Sequence, residues 1–110
     1  MFETDVTETS PGLMAEVERW LSACQAVVDE SDKTRTCPAR KLMATEGGRR
    51  FLRIVAEGGY VSGPHAWAFI DMTNGDVLRA DGWKRPDNKP RGNLYDSTGG
   101  MGRIKDSGPR

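Results

Sequence analysis

Between residues 13 and 28, Leu13, Met14, Val17, Trp20, Leu21, Cys24, Val27 and Val28 recur at steps of three and four. That spacing follows the 3.6-residue period and predicts an amphipathic α-helix of about five turns, from residue 11 to near Glu30. Ser10 before Pro11 supplies an N-cap and a proline at the first helical position. Glu16, Glu18, Arg19, Ser22 and Gln25 fill the opposite face. The apolar stripe is wide and contains a tryptophan, so it must cover something: the chain's own core, or a second copy in a homo-oligomer built through the helix 11–30.

The residues beyond the helix supply a partner for the stripe. "SDKTRTCPAR" is a loop by composition. "KLMATEGGRRFLRIVAEGG" then reads as two strands around a Gly47-Gly48 turn, the second running from Arg50 to Ala56. Gly58, Gly59, Gly63 and Pro64 interrupt the chain. "HAWAFIDMTNGDVLRA" reads as a second hairpin, with Asn74-Gly75 supplying the positive dihedrals of its turn. The expected fold is α+β, one helix packed on a small antiparallel sheet of about four strands. At 110 residues, the chain suffices for one modest core. The expected organisation is a disordered N-terminus over residues 1–9, a single domain over 10–95 and a flexible Gly-rich tail over 96–110. After Ala80 the regular pattern stops, and an irregular basic segment is expected.

Net charge is zero but unevenly placed. Residues 1–32 hold eight acids against one base, Arg19, a balance of −7. The remaining 78 residues carry fifteen bases and eight acids, a balance of +7. Either the two parts attract each other, or the basic part meets an anionic ligand. No apolar run reaches the roughly 18 residues of a membrane span, and the acidic start "MFETDVTETSPG" lacks the features of a secretion signal. No membrane partner and a cytoplasmic location are expected. Cys24 and Cys37 lack metal or redox spacing and read as free thiols.

Catalytic chemistry finds little support. "DMTNGD" has oxygen-bearing residues around Asp71 and Asp76 but not the spacing of a calcium loop, and a hairpin turn explains each of them. His65 is the single histidine; it lacks a nucleophile context or a second histidine for a metal site, and reads as a packing residue that lines a pocket at most. Paired carboxylates and phosphate-binding glycine loops are missing as motifs. "STGGMG" has the composition of a backbone-amide anion nest, with a flexible tail preferred. The expectation is no enzyme, no cofactor and no metal.

"GWKRPDNKPRGN", residues 82–93, is the segment that packing explains least. Lys84, Arg85, Lys89 and Arg91 lie within eight residues, beside Trp83 and between Pro86 and Pro90, which restrict the backbone. A guanidinium such as that of Arg91 matches two oxygens of a phosphate or carboxylate. Trp83 offers a surface for stacking a base, worth roughly 1–3 kcal/mol in single-stranded nucleic-acid sites. Arg53 and Arg79, inside strands, are expected to extend the region on the face or rim that the helix leaves open, with Asn93 and His65 as further candidate ligand-binding residues. The competing reading is a solvated basic loop whose tryptophan caps the edge of the core.

The stretch from Trp67 to Leu94 resembles a block recurrent in small, uncharacterised proteins of tailed bacteriophages. It is carried here by Phe69, Ile70, Asp71, Gly75, Asp76, Val77, Arg79, Trp83, Lys84, Pro86, Arg91, Gly92 and Asn93. Pro90 stands where that family usually has alanine, and Arg79 where it has lysine. The resemblance implies a phage protein acting in the host cytoplasm and carries no established biochemical role. Together with the basic segment, it leads to the expectation of a non-catalytic protein that binds a phosphate-bearing ligand, a nucleotide, and sequesters a nucleotide signal of host defence. The alternatives are a nucleic-acid-binding protein and a protein-interaction module that inhibits a host factor.

Overall fold

The stripe from Leu13 to Val28 finds its partner within the chain. In the computed structural model, which describes residues 11–34, 36, 38–45, 50–59 and 63–110, the helix α1 runs Pro11–Asp32. Val17, Trp20, Cys24 and Val28 are essentially excluded from solvent. Each such side chain stabilises the fold by about 1.5–3 kcal/mol relative to exposure. The exposed Glu16–Arg19 pair on the same helix is worth about 0.3–0.5 kcal/mol, so burial, not surface pairing, holds α1 in place.

The stripe lies on a five-stranded antiparallel sheet in the order β1-β2-β3-β4-β5, with strands Lys41–Thr45, Phe51–Glu57, His65–Asp71, Asp76–Ala80 and Pro86–Asn93. The fold is α+β as expected, with five strands rather than about four. Leu42, Ile54, Ala56, Ala68, Ile70 and Val77 turn toward the helix. The register pairs Ile54 with Ala68 and Val55 with Ala66, leaving Trp67 as the extra residue of a bulge. Trp67 joins the helix-side core, 6.3 Å from Trp20 at an interplanar angle of 59°.

The added strand is a correction. The segment expected to be irregular after Ala80 contains β5, paired with β4 from Asp76↔Asn93 to Ala80↔Pro86. Two prolines argue against an interior strand, but an edge strand tolerates them because half of its N–H groups have no partner to reach. The other edge is guarded by α1. Gln25 donates from Nε2 to the Arg40 carbonyl at 2.9 Å and accepts the Leu42 N–H at Oε1, 2.7 Å, as a neighbouring strand would.

A second correction concerns residues 96–110, expected as a flexible tail. They pack on the core and form a small hairpin of β6 (Ile104–Lys105) and β7 (Gly108–Pro109), with Ile104 and Pro109 buried. Both buried indoles bond to this segment, Trp20 Nε1 to the Gly100 carbonyl at 3.0 Å and Trp67 Nε1 to the Asp106 carbonyl at 3.1 Å. The glycines that suggest looseness are steric necessities. A Cβ on Gly108 would come within 2.6 Å of the Trp67 carbonyl oxygen, and one on Gly100 within 3.0 Å of the Trp20 ring. Arg40 closes the same end of the fold, bonding Asp32 at 2.6 Å and Asp106 at 3.2 Å. The expected N-terminal disorder, the Ser10 cap, the Gly47-Gly48 turn and Cys37 lie outside the described residues.

Candidate anion-binding site

Side chains opposite each other in an antiparallel pair share a face. The row Thr45, Arg53, Phe69, Leu78, Pro90 therefore lies on the face away from α1, while Ile54, Ala68 and Arg79 share the helix side. Arg53 and Arg79, expected to reinforce one surface, point to opposite faces. His65 pairs with Ala56 and also turns to the helix side, where its Nδ1 is buried without a hydrogen-bond partner among the described residues.

Trp83 occupies the turn between β4 and β5. The turn is closed by the Asp81 N–H donating to the Arg85 carbonyl at 2.7 Å, with Gly82 at a φ of +142° that disfavours other residues. Arg53 Nε donates to the Trp83 carbonyl at 2.7 Å, and its guanidinium carbon lies 4.4 Å from the centre of the indole. Arg53 belongs to β2, two strands from β4, so the indole arches back over the position of Phe69 between them. Val55, Phe69 and Leu78 are buried on this face. The cation–π contact, on the order of 1 kcal/mol, fixes the ring. One face of the indole is thus taken by Arg53, and Trp83 remains 44% exposed.

Lys84 and Arg85 follow in the same exposed turn, and Lys89 lies exposed on β5. The side chains of these three have no hydrogen-bond or ion-pair partner among the described residues. Arg91 does not join them. Its side chain is only 12% exposed, pairs with Asp87 at 3.1 Å, and donates to the main-chain oxygens of Arg110 and Lys89. The Lys89 N–H and the Arg91 guanidinium hold the Asp87 carboxyl below the usual carboxylate range. Asn93 is likewise committed. Its Nδ2 donates to the Asn74 carbonyl and to Asp76, and its Oδ1 accepts the Tyr95 N–H at 2.8 Å. The expected convergence of Lys84 with Arg91 is replaced by a turn carrying Trp83, Lys84 and Arg85, with Lys89 further along the edge.

Other candidate chemistry is absorbed by the fold. Asp71 gives one carboxylate oxygen to the N–H and hydroxyl of Thr73 and the other to Arg50, as a hairpin turn requires. The anion nest considered at "STGGMG" does form, but its occupant is internal: Asp96 accepts the main-chain N–H groups of Asn93, Thr98 and Gly100 at 2.9–3.0 Å. Burial pushes the Cys24 thiol far above its ordinary range, against a smaller pull from Arg19, which disarms it as a nucleophile. Among the described residues, no group of His, Cys, Asp and Glu has a metal-binding arrangement, and no helix is long and apolar enough to cross a membrane.

Sequence reasoning missed the Arg53–Trp83 stack, the Asp32–Arg40–Asp106 cluster and Asp96 as the occupant of the nest. Only the last had a local signal: Asp71-Met72-Thr73 and Asp96-Ser97-Thr98 share the pattern Asp-x-Thr, and both make the same carboxylate-to-Thr turn.

The class defined by these features is a one-helix α+β protein whose five-stranded meander carries an aromatic and cationic turn on the face opposite the helix. The chain belongs to a family of unknown function, DUF7717, whose model matches residues 3–106. No curated protein and no solved structure matches it.

Proposed function

We propose that this is a non-catalytic protein of phage infection that binds a phosphate-bearing ligand of the nucleotide type. A planar base stacks on the free face of Trp83, and Lys84 and Arg85 meet the adjoining phosphate. The observation that carries the reading is the arrangement of that turn. An indole is held from beneath by Arg53, 44% exposed, and flanked by two cations without a partner among the described residues. Stacking on Arg53 uses only the inner face of the indole; its exposed part and the two neighbouring cations are left over, and base and phosphate recognition needs both together. The phage resemblance puts this binding in an infected cell, where the same base-and-phosphate chemistry occurs in a free signal of host defence and in nucleic acid.

Trp20 and Trp67 are buried, so collisional quenching of tryptophan fluorescence reads Trp83. Nucleotides and short oligonucleotides should shield Trp83 from iodide. The double change Lys84→Ala, Arg85→Ala should weaken that protection at least tenfold, while the melting temperature stays within about 2 °C because both side chains are exposed. If no nucleotide or oligonucleotide shields Trp83 or shifts the melting temperature, the reading is overturned. Specific capture of a host protein under the same conditions would replace it with a protein-interaction role.

A further inference from the structure

We infer that the ligand is a single-stranded nucleic acid laid along the outer edge of the sheet, rather than a free nucleotide; this rests on the reading of Trp83 as a base platform. Two geometric facts separate these ligands. The first is the shape of the platform. A small ligand is held by enclosure, in a concave site that takes most of its surface out of water. Residues 81–85 are all exposed, and the inner face of Trp83 is filled by Arg53, so among the described residues a base finds one stacking surface and no second wall. Stacking on one exposed ring is weak for a lone nucleotide. It becomes useful when neighbouring units of a polymer add contacts of their own.

The second fact is the spacing of the free cations. Lys84 and Arg85 sit at the turn, and Lys89 lies four residues beyond Arg85 on the extended strand β5. At about 3.3 Å per residue, this is on the order of 13 Å, a linear track longer than the phosphate chain of one nucleotide. The acids of this edge weaken the track little. Asp87 is neutralised by Arg91, leaving Asp81 against three cations. The remaining exposed acids of α1, among them Glu18, Asp29 and Glu30, lie on the opposite side of the sheet. An anionic strand is therefore drawn to the turn and the β5 edge rather than to the outward face of α1. A duplex would bury its bases away from Trp83, so the platform selects single strands.

The test is fluorescence anisotropy with labelled oligothymidylates of 4, 8 and 12 nucleotides, competed with thymidine mono- and triphosphate and with a 12-base-pair duplex. Affinity should rise by at least tenfold from 4 to 8 nucleotides. Log affinity should fall with log salt at a slope near −2, from about −0.7 for each of three phosphate contacts on a single strand. Lys89→Ala should reduce the slope by about 0.7 for the 8-mer and leave the 4-mer unchanged. Trp83→Phe, which keeps a ring over Arg53, should retain binding, while Trp83→Leu should lose it; circular dichroism establishes that both are folded. Triphosphate binding as tight as the 8-mer, or duplex binding as tight as the single strand, overturns the inference and leaves the nucleotide-type reading standing. Binding of none of these probes overturns both.

Discussion

Asp96 lies in the exposed loop after β5, yet its carboxylate accepts four hydrogen bonds, three from main-chain N–H groups and one from the Thr98 hydroxyl. The Gly100 N–H first, then the Thr98 hydroxyl and the Asn93 N–H, hold its carboxyl down to about 2. An unfolded chain restores an ordinary aspartate near 3.9. The folded form therefore gains stability from Asp96 that is fully present above about pH 4 and is lost as pH falls toward 2. Asp96→Asn should lower stability at pH 7 by about 1 kcal/mol, a value already reduced for solvent exposure. The gap between wild type and variant should close between pH 4 and pH 2, and thermal melts at pH 7, 4 and 2 measure it. A gap unchanged at pH 2 would mean the carboxylate's charge is irrelevant to the loop.

At the same scale, Arg91 and Lys84, both expected to meet the ligand, part company. Arg91→Ala strands Asp87 and removes the bonds to Arg110 and Lys89, and should cost about 2 kcal/mol in a denaturant titration. Lys84→Ala should change stability by less than about 0.5 kcal/mol. Equal effects would mean that Arg91 is as free as Lys84. Nothing in "GWKRPDNKPRGN" distinguishes these cations, because their difference lies in contacts with Asp87 and Arg110 set by a strand bulge.

Among the elements, α1 was legible because its period of three and four is local information. The two central hairpins were legible because apolar runs and turn residues bracket each other. β5 was not. Its residues are polar, with two prolines and a glycine, and it is a strand only because β4 offers a free edge. The C-terminal hairpin was hidden for a related reason. Glycines that look permissive in the sequence are demanded by the approach of Trp20 and the Trp67 backbone, contacts about 80 and 40 residues distant in the chain. The guard on β1 gives a prediction at this scale. Gln25→Ala removes both bonds to the edge and should cost about 1–2 kcal/mol. It should also raise concentration-dependent light scattering, since an uncovered strand edge pairs with other chains. Unchanged scattering would show that α1 shields the edge by bulk alone.

On the whole-molecule scale, the split of charge along the sequence becomes only in part a split between faces, since Arg79 turns to the helix side. The helix carries the acids outward on one side, and the turn after β4 carries free cations on the other. The apolar stripe that the sequence leaves available for either core or partner is used by the chain's own sheet. The fold class was therefore readable from periodicity, whereas the site was only partly readable. The segment was right to single out, but strand register, which no local pattern reveals, sorts its cations into structural and free.

The bonds from Trp20 to Gly100 and from Trp67 to Asp106 also impose an order in time. Along the chain, the helix and all five strands precede the residues that complete both indole sites. Until residues 100–109 emerge, two indole N–H groups and the floor of the core have only water or a chaperone to meet. A nascent domain that has its helix and sheet but not yet this segment is therefore the sticky form, and whatever prolongs that interval favours association.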